Sequence, residues 1–380
     1  MNRKKREQTI KQSRERELLV AACLGLWIGI LAFGLWPFNF HPRNRVEWLP
    51  NRGIVFENYG EAYSQSRWNR NNSTDTGDGF TVELWVRSHE ENYHQVSGLL
   101  SIADSLPECF TIAQSGPDVM VRGQFQDATH GLAVRRFYID DPFPQTQPQF
   151  ITATSGPQGT ELYLDGSPKR KVPFTLTKKN FAGKILLGHN FVGHEPWSGD
   201  LLGLAIYSEA LTEAEVSEDY SAWERNDKAE LMKRPSVAAL YLFDERAGNV
   251  IHNRAGNAPD IIIPQRFSVQ HKTFLGFSDL NRANLDLSDV VINILGFVPF
   301  GVFWCAFFQF GKHPGAARAI LLTLILGAAT SLTIELLQAY LPSRESSLLD
   351  LIDNTLGTFV GAVLQCGVAS VVSRARRPIV

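Results

Sequence analysis

The chain has 380 residues, 44% of them hydrophobic and 20% charged, with a formal net charge of −2. That length allows two or three domains, and the near-neutral balance gives no global sign of nucleic-acid binding. The averages hide an uneven distribution, because the apolar residues gather at the two ends. The four cysteines form no disulfide framework. Cys23, Cys305 and Cys366 lie in apolar segments and only Cys109 falls in the polar middle, so that region must be stabilised by packing.

Residues 1–17 form a basic tail, with Arg3, Lys4, Lys5, Arg6, Lys11, Arg14 and Arg16. Leu18–Trp36 follows, near the ~20 apolar residues that cross a bilayer core. A cleaved signal peptide would need a small-x-small exit, whereas this stretch leaves through Trp36-Pro37-Phe38-Asn39-Phe40. Val20-Ala21-Ala22-Cys23 imitates a lipoprotein processing site, but Glu17 lies just upstream and only five apolar residues precede Cys23. Residues 18–38 are therefore read as an uncleaved transmembrane helix.

Residues 48–268 read as short strands with a single helix. Phe80-Thr81-Val82-Glu83-Leu84-Trp85-Val86-Arg87 alternates with period two, placing Phe80, Val82, Leu84 and Val86 on one face. Further runs occur at Met120–Phe125, Phe150–Thr154, Glu161–Leu164, Ile185–Leu187, Leu202–Tyr207 and Ala238–Phe243. Turn signals such as Asp165-Gly166 and Ser198-Gly199-Asp200 separate them. Thr212 and Glu215 make a capping box ahead of a helix ending near Trp223. The pattern predicts an all-β sandwich.

The ordered series FTVELWVR, LYLDG, GKILLG, WSGDLLGLAIYSEALTEAEV and VAALYLFDERAGNVIHN resembles the laminin-G-like, concanavalin A-like jelly roll. The resemblance covers most of residues 51–265 and implies binding of glycans or proteins, sometimes with calcium. Glucanase relatives carry a Glu-x-Asp-x-Glu strand with two carboxylates across the scissile bond. No such triplet occurs here, which points to binding or scaffolding rather than hydrolysis. Trp197 could stack on a sugar, but its WSG context favours packing. Asp165 and Asp200 could touch calcium, although turn aspartates ordinarily serve the turn.

After a linker at residues 269–288, residues 289–373 hold three more membrane segments, Val290–Phe310, Ala319–Leu341 and Leu348–Val372. A basic tail, 374–380, closes the chain. Lys312 and Arg318 flank one turn and Arg374, Arg376 and Arg377 follow the last helix, while the third-to-fourth turn has only Arg344. The positive-inside rule then puts both termini in the cytoplasm and residues 41–288 outside.

With that orientation, the polar residues of the last three helices converge near one depth. Asp289 and Asn293 begin the second helix, Glu335 and Gln338 share a face of the third, and Asp350, Asn354, Gly357 and Gly361 form a stripe on the fourth. Glu335 is expected two turns inside its helix, about 9 Å deep at 1.5 Å per residue. A carboxylate there needs compensation, and a structural pairing with Arg344 or Asn293 would supply it. The glycines are expected to be packing positions. The concentration of polar groups favours a ligand site built from Glu335, Gln338, Arg344, Asp350, Asn354 and Asn293, with no metal ligand set.

The spacing from Glu335-x-x-Gln338 through Arg344, Asp350 and Asn354 to Gly357 resembles the VanZ-like family, as do Asn293–Gly301 (NILGFVPFG) and the exit Trp36-Pro37-Phe38. Ser347 departs from the aspartate of many relatives, which puts a metal or acid role there in doubt. The resemblance spans residues 18–40 and 285–372 and implies a sandwich inserted between the first and second helices. The expected architecture is a multidomain membrane protein, a VanZ-like four-helix transmembrane bundle plus an all-β jelly-roll sandwich, in a bacterial cytoplasmic membrane. Its expected partners are membrane lipid and an envelope glycan or lipid-linked glycan, with no nucleic acid. No cofactor is expected, calcium in the sandwich apart. A non-catalytic adaptor whose sandwich binds a protein, or an enzyme using Glu335 as general base on a lipid-linked substrate, are the alternatives.

Overall fold

The computed structural model describes residues 3–68, 79–89, 96–103, 110–127, 131–139, 147–189, 196–277, 287–310 and 315–375. Cys109, Lys312, Arg376 and Arg377 lie outside the described residues. The chain divides into a helical unit, Met1–Phe40 with Lys272–Val380, and a second unit, His41–His271. In chain order the α-helices among the described residues are α1 (Arg3–Gly34), α2 (Glu213–Glu224), α3 (Lys228–Lys233), α4 (Leu287–Gln309), α5 (Ala316–Gln338) and α6 (Leu348–Ala375).

Among the described residues, four stretches are long and apolar enough to cross a membrane: Ile10–Gly34 of α1, all of α4 and α5, and Leu348–Ala369 of α6. The glycines of α6 let its backbone touch that of α4. A Cβ on Gly357 would lie 2.2 Å from the Ile294 carbonyl oxygen, and one on Gly361 2.1 Å from that of Val298. Gly301 of α4 makes the reciprocal approach, 2.1 Å from the Thr358 oxygen. The glycine stripe is a packing face. Leu35, Phe297, Phe300, Ile334 and Leu341 form the core nearest the site.

α5 ends earlier than its apolar run suggests. Tyr340 and Leu341 donate to the carbonyls of Leu337 and Gln338, tightening the chain into turns, and Pro342 has no N–H with which to continue. Glu335 therefore sits in the last turn, about 4.5 Å from the helix end at 1.5 Å per residue, half the depth expected.

The second unit is two antiparallel sheets. One runs Val46–Trp48, Ile54–Phe56, Gly199–Tyr207, Phe80–Ser88, Gln149–Gly156, Gly159–Leu164 and Ser167–Val172, with Val237–Tyr241 also paired to Gly199–Tyr207. The other runs Thr175–Leu176, Asp118–Asp127, Phe110–Ser115, Val96–Ala103, Lys184–Leu187, Ala62–Ser64, Ile261–Ile262 and Val250–Ile251, with Gly131–Ile139 on Asp118–Asp127. Phe80, Val82, Leu84 and Val86 enter the core between the sheets, as their alternation predicts.

The opposite face of that strand is also covered. Trp85 packs against Phe150 and Tyr220, and a second core forms with Tyr163, Tyr207, Val216 and Trp223 beneath α2. α2 opens with the predicted capping box: Glu215 N–H donates to Thr212 Oγ1 at 3.4 Å and Thr212 N–H to Glu215 Oε2 at 2.8 Å. Where this unit begins and ends, Asn44 Nδ2 donates to the carbonyls of Glu61 (2.9 Å) and Pro264 (2.7 Å). Glu61 in turn accepts Ser268 N–H and Gln270 Nε2–H, each at 2.9 Å. These bonds clasp the two chain ends together.

Candidate functional site

Trp197 is 1% exposed, donates Nε1–H to Gln114 Oε1 at 3.0 Å and tilts against Phe56. It packs the core and offers no face to a sugar. Asp165 has φ +49 and Gly166 φ +74, the positive pair of a tight hairpin, and Asp165 Oδ1 accepts Phe150 N–H at 2.8 Å. Asp200 is buried, ion-paired with Arg87, and has His89 Nε2 at 3.2 Å. Among the described residues no three His, Cys, Asp or Glu side chains are grouped to hold a metal ion.

In the helical unit, all six residues proposed from the sequence line one cavity of about 680 Å³. α4 contributes Asn293 together with Asp289, α5 contributes Glu335 and Gln338, the following turn Arg344, and α6 Asp350 and Asn354. The remaining wall is apolar: Leu26, Ile30 and Phe33 of α1, Ile292 and Phe297 of α4, and Ile334 of α5. Gly25, Gly29 and Gly296 also line it, and a Cβ added at any of them would meet nothing within 4 Å. The cavity thus has a polar end and an apolar slot.

The polar end is built by helix termini. Ser347 caps α6, its hydroxyl accepting Leu349 N–H at 3.1 Å and Asp350 N–H at 3.4 Å. Its own N–H donates to Glu335 Oε2 at 2.8 Å, so a 1%-exposed carboxylate meets the positive end of a helix. The compensation anticipated for Glu335 came from Arg344 or Asn293; the Ser347 amide is a donor the sequence did not point to. Serine and aspartate are equally good N-caps, so the serine at this position is explained as a cap. Gly276 pairs with the same turn, its N–H donating to Ser346 O at 2.8 Å and its carbonyl accepting Leu348 N–H at 3.1 Å.

Two of the site residues hold the end of α1. Gln338 Nε2 donates to Gly34 O at 2.8 Å and Arg344 Nε to Trp36 O at 3.3 Å, satisfying carbonyls that a helix end leaves open. Asn354 Nδ2 donates to Ser331 Oγ at 3.0 Å. Gln338 Oε1 and Asn354 Oδ1 are buried without a hydrogen-bond partner. Asp353 of α6, which the sequence reading passed over, is also buried and keeps Oδ2 unpartnered. Its signal was its place beside Asn354, one helical position off the glycine stripe.

Residues 237–369 match the VanZ/LLP1 family, and residues 60–217 match the Concanavalin A-like lectin/glucanases superfamily. The chain combines a VanZ/LLP1 region with a concanavalin A-like domain. The VanZ/LLP1 match takes in α4, α5, most of α6 and the strand Val237–Tyr241, and does not extend to α1. No curated protein matches the chain.

Solved structures similar to the concanavalin A-like domain include botulinum neurotoxin type C, dependent on interaction with two ganglioside molecules to enter cells (9% identity, 48% of this chain, 45% of that chain, TM-score 0.34). A Bacteroides ovatus protein assigned to carbohydrate binding (13%, 58%, 61%, 0.38) and a pentraxin from Limulus polyphemus (16%, 47%, 78%, 0.30) are also similar. The chain covers less than half the length of the first solved proteins it matches. The sandwich assignment rests on the strand pairing and the superfamily match.

Proposed function

We propose that this multi-pass membrane protein binds a lipid-linked polar group, with the VanZ/LLP1 cavity taking the lipid and its headgroup and the sandwich engaging envelope glycan. One observation supports the reading above the others: a single cavity of about 680 Å³ joins seven polar side chains to an apolar, glycine-floored slot. A hydrophilic ligand would not need the slot, and a bare acyl chain would not need Glu335, Asn354 or Asp350. Adding a Cβ at Gly29 meets no atom within 4 Å, so larger side chains there fill the slot rather than break the bundle. The full chain, purified in mild detergent, should retain a defined lipid by mass spectrometry, and Gly29→Leu should release it. Equal retention by wild type and variant would sink the reading.

The same proposal places the cavity's polar end and residues 41–288 outside the cytoplasm, because basic residues flank the opposite helix ends. In a Cys109→Ser background, cysteine introduced at exposed Lys169 should react with an impermeant thiol reagent in intact spheroplasts. Reaction only after lysis would reverse the orientation.

A further inference from the structure

At the end of α4 away from the cavity, two thiols from different helices meet. Cys305 of α4 and Cys366 of α6 are both free, with their Sγ atoms 3.6 Å apart. Cys305 lies twelve residues after the cavity residue Asn293, and Cys366 twelve after Asn354, about 18 Å along either helix at 1.5 Å per residue. The pair continues the seam on which the two backbones touch. A Cβ on Gly301 would lie 2.9 Å from the Ala362 nitrogen. Cys305 follows Gly301, and Cys366 follows Ala362, by one helical turn. A disulfide needs its Cα atoms roughly 4.4–6.8 Å apart, a reach that backbone contact along this seam supplies.

The two sulfurs have different surroundings. Cys305 is fully buried, in a cluster with Ala319 of α5 and Ala362 of α6. Cys366 is half-buried, accepts Gln309 Nε2–H at 2.9 Å and sits on a stretch of α6 whose Val363, Leu364 and Val368 are exposed. Exposed apolar side chains on a membrane helix face acyl chains, so a lipid-soluble oxidant meets Cys366 first. The Gln309 amide stabilises negative charge on that sulfur as it attacks.

We propose that Cys305 and Cys366 form a redox modification site, which a hydroperoxide dissolved in the bilayer converts to a disulfide between α4 and α6. Cys366 Sγ attacks the terminal peroxide oxygen, the O–O bond breaks, and the thiol proton leaves with the alkoxide as an alcohol. Cys305 Sγ then attacks the sulfur of the resulting sulfenic acid, the S–O bond breaks, and the hydroxide departs with the Cys305 proton as water. The two thiols give up two electrons and two protons, and the hydroperoxide is reduced to alcohol and water. The disulfide pins α4 to α6 at the end remote from the cavity, whatever the cavity binds.

The test reconstitutes the full chain in phosphatidylcholine liposomes and adds cumene hydroperoxide, read by differential alkylation and mass spectrometry. Cys305 and Cys366 should become joined within one chain, faster than with hydrogen peroxide at the same concentration. In Cys305→Ser the oxidation should stop at a dimedone-reactive sulfenic acid on Cys366, while Cys366→Ser should leave Cys305 unmodified. Cys305→Ala gives the same readout should the serine variant fold poorly. Gln309→Leu should slow disulfide formation about tenfold, the worth of one hydrogen bond to a charged atom, and leave the final yield unchanged. Thiols that stay alkylatable after hydroperoxide overturn the site, as does a disulfide that joins two chains. Equal or faster oxidation by hydrogen peroxide overturns the bilayer-borne oxidant. Protection from alkylation that appears only on copper(I) loading, and is lost to a chelator, overturns the redox reading in favour of a soft-metal site.

Discussion

Glu335 of α5 accepts the backbone N–H of Ser347, the cap of α6, at 2.8 Å. This bond ties the end of one membrane helix to the start of the next, which gives the carboxylate a structural role. Glu335→Gln should insert and fold nearly as wild type, since the amide oxygen replaces the acceptor. Glu335→Leu leaves a buried donor unpaired, at about 1–3 kcal/mol. Pairing it with Arg344→Leu should not restore stability, because the Ser347 N–H stays unsatisfied. Thermal unfolding in detergent checks the series, and full recovery in the double variant would refute this account.

The contact of α4 with α6 gives a sharper contrast. An added methyl at Gly361 would fall 2.1 Å from a backbone oxygen, while at Gly25 it meets nothing within 4 Å. Backbone cannot swing aside as a flexible side chain can, so Gly361→Ala should lower the unfolding midpoint and membrane abundance markedly. Gly25→Ala should leave both near wild type. Similar losses from the two variants would argue against the packing role.

The membrane helices were legible because a run of about 20 apolar residues has few other uses, and the alternation at Phe80–Val86 because one face of a strand is either buried or not. The convergence of Glu335, Asn354 and Arg344 was legible from helix direction and spacing. Its chemistry was less so: the donor to Glu335 is a main-chain amide, and no side-chain pattern marks it. Trp197 was open to two readings because an aromatic beside a turn fits either a core or a sugar platform. Only the position of Gln114 decides it. The clasp at Asn44 joins carbonyls up to 220 residues away along the chain, a separation no local signal spans.

Beneath α2, Glu83 is fully buried and its Oε2 accepts Trp223 Nε1–H at 2.9 Å and Tyr207 O–H at 3.1 Å. Burial, reinforced by the nearby Asp219 carboxylate, pushes its pKa well above the usual carboxylate range. A raised folded-state pKa means the protonated form is favoured, so the stabilisation is present at low pH and is lost as pH rises through that value. The sandwich should lose stability as pH rises above the ordinary carboxylate range. Glu83→Gln should flatten that slope while keeping both bonds, whereas Glu83→Ala should destabilise at every pH. Circular dichroism melts from acid to alkaline pH measure it, and parallel curves for wild type and Glu83→Gln would exclude Glu83 as the source.

The clasp at the ends of the sandwich unit supplies a second titration. Glu61 is buried, and burial raises its pKa to about 7, against the opposing hydrogen bonds from Gln270 and Ser268. Its unfolded value lies near ~4.3, so protonation favours the fold: the full contribution is present below that value and fades as pH rises through about 7. The loss amounts to about 4 kcal/mol at 1.36 kcal/mol per unit. Asn44 and Gln270 act on the same carboxylate and backbone, so the boundaries of an isolated domain matter. Residues 41–271, expressed alone, should be soluble and unfold cooperatively. A fragment of residues 48–268, which lacks Asn44 and Gln270, should unfold at lower denaturant. In the longer fragment, stability should fall as pH rises from roughly 4.3 to about 7, and Glu61→Gln should remove its share of that fall while leaving the contribution of Glu83. If the two fragments share one midpoint, and Glu61→Gln follows wild type across the neutral range, the clasp does not hold the sandwich ends.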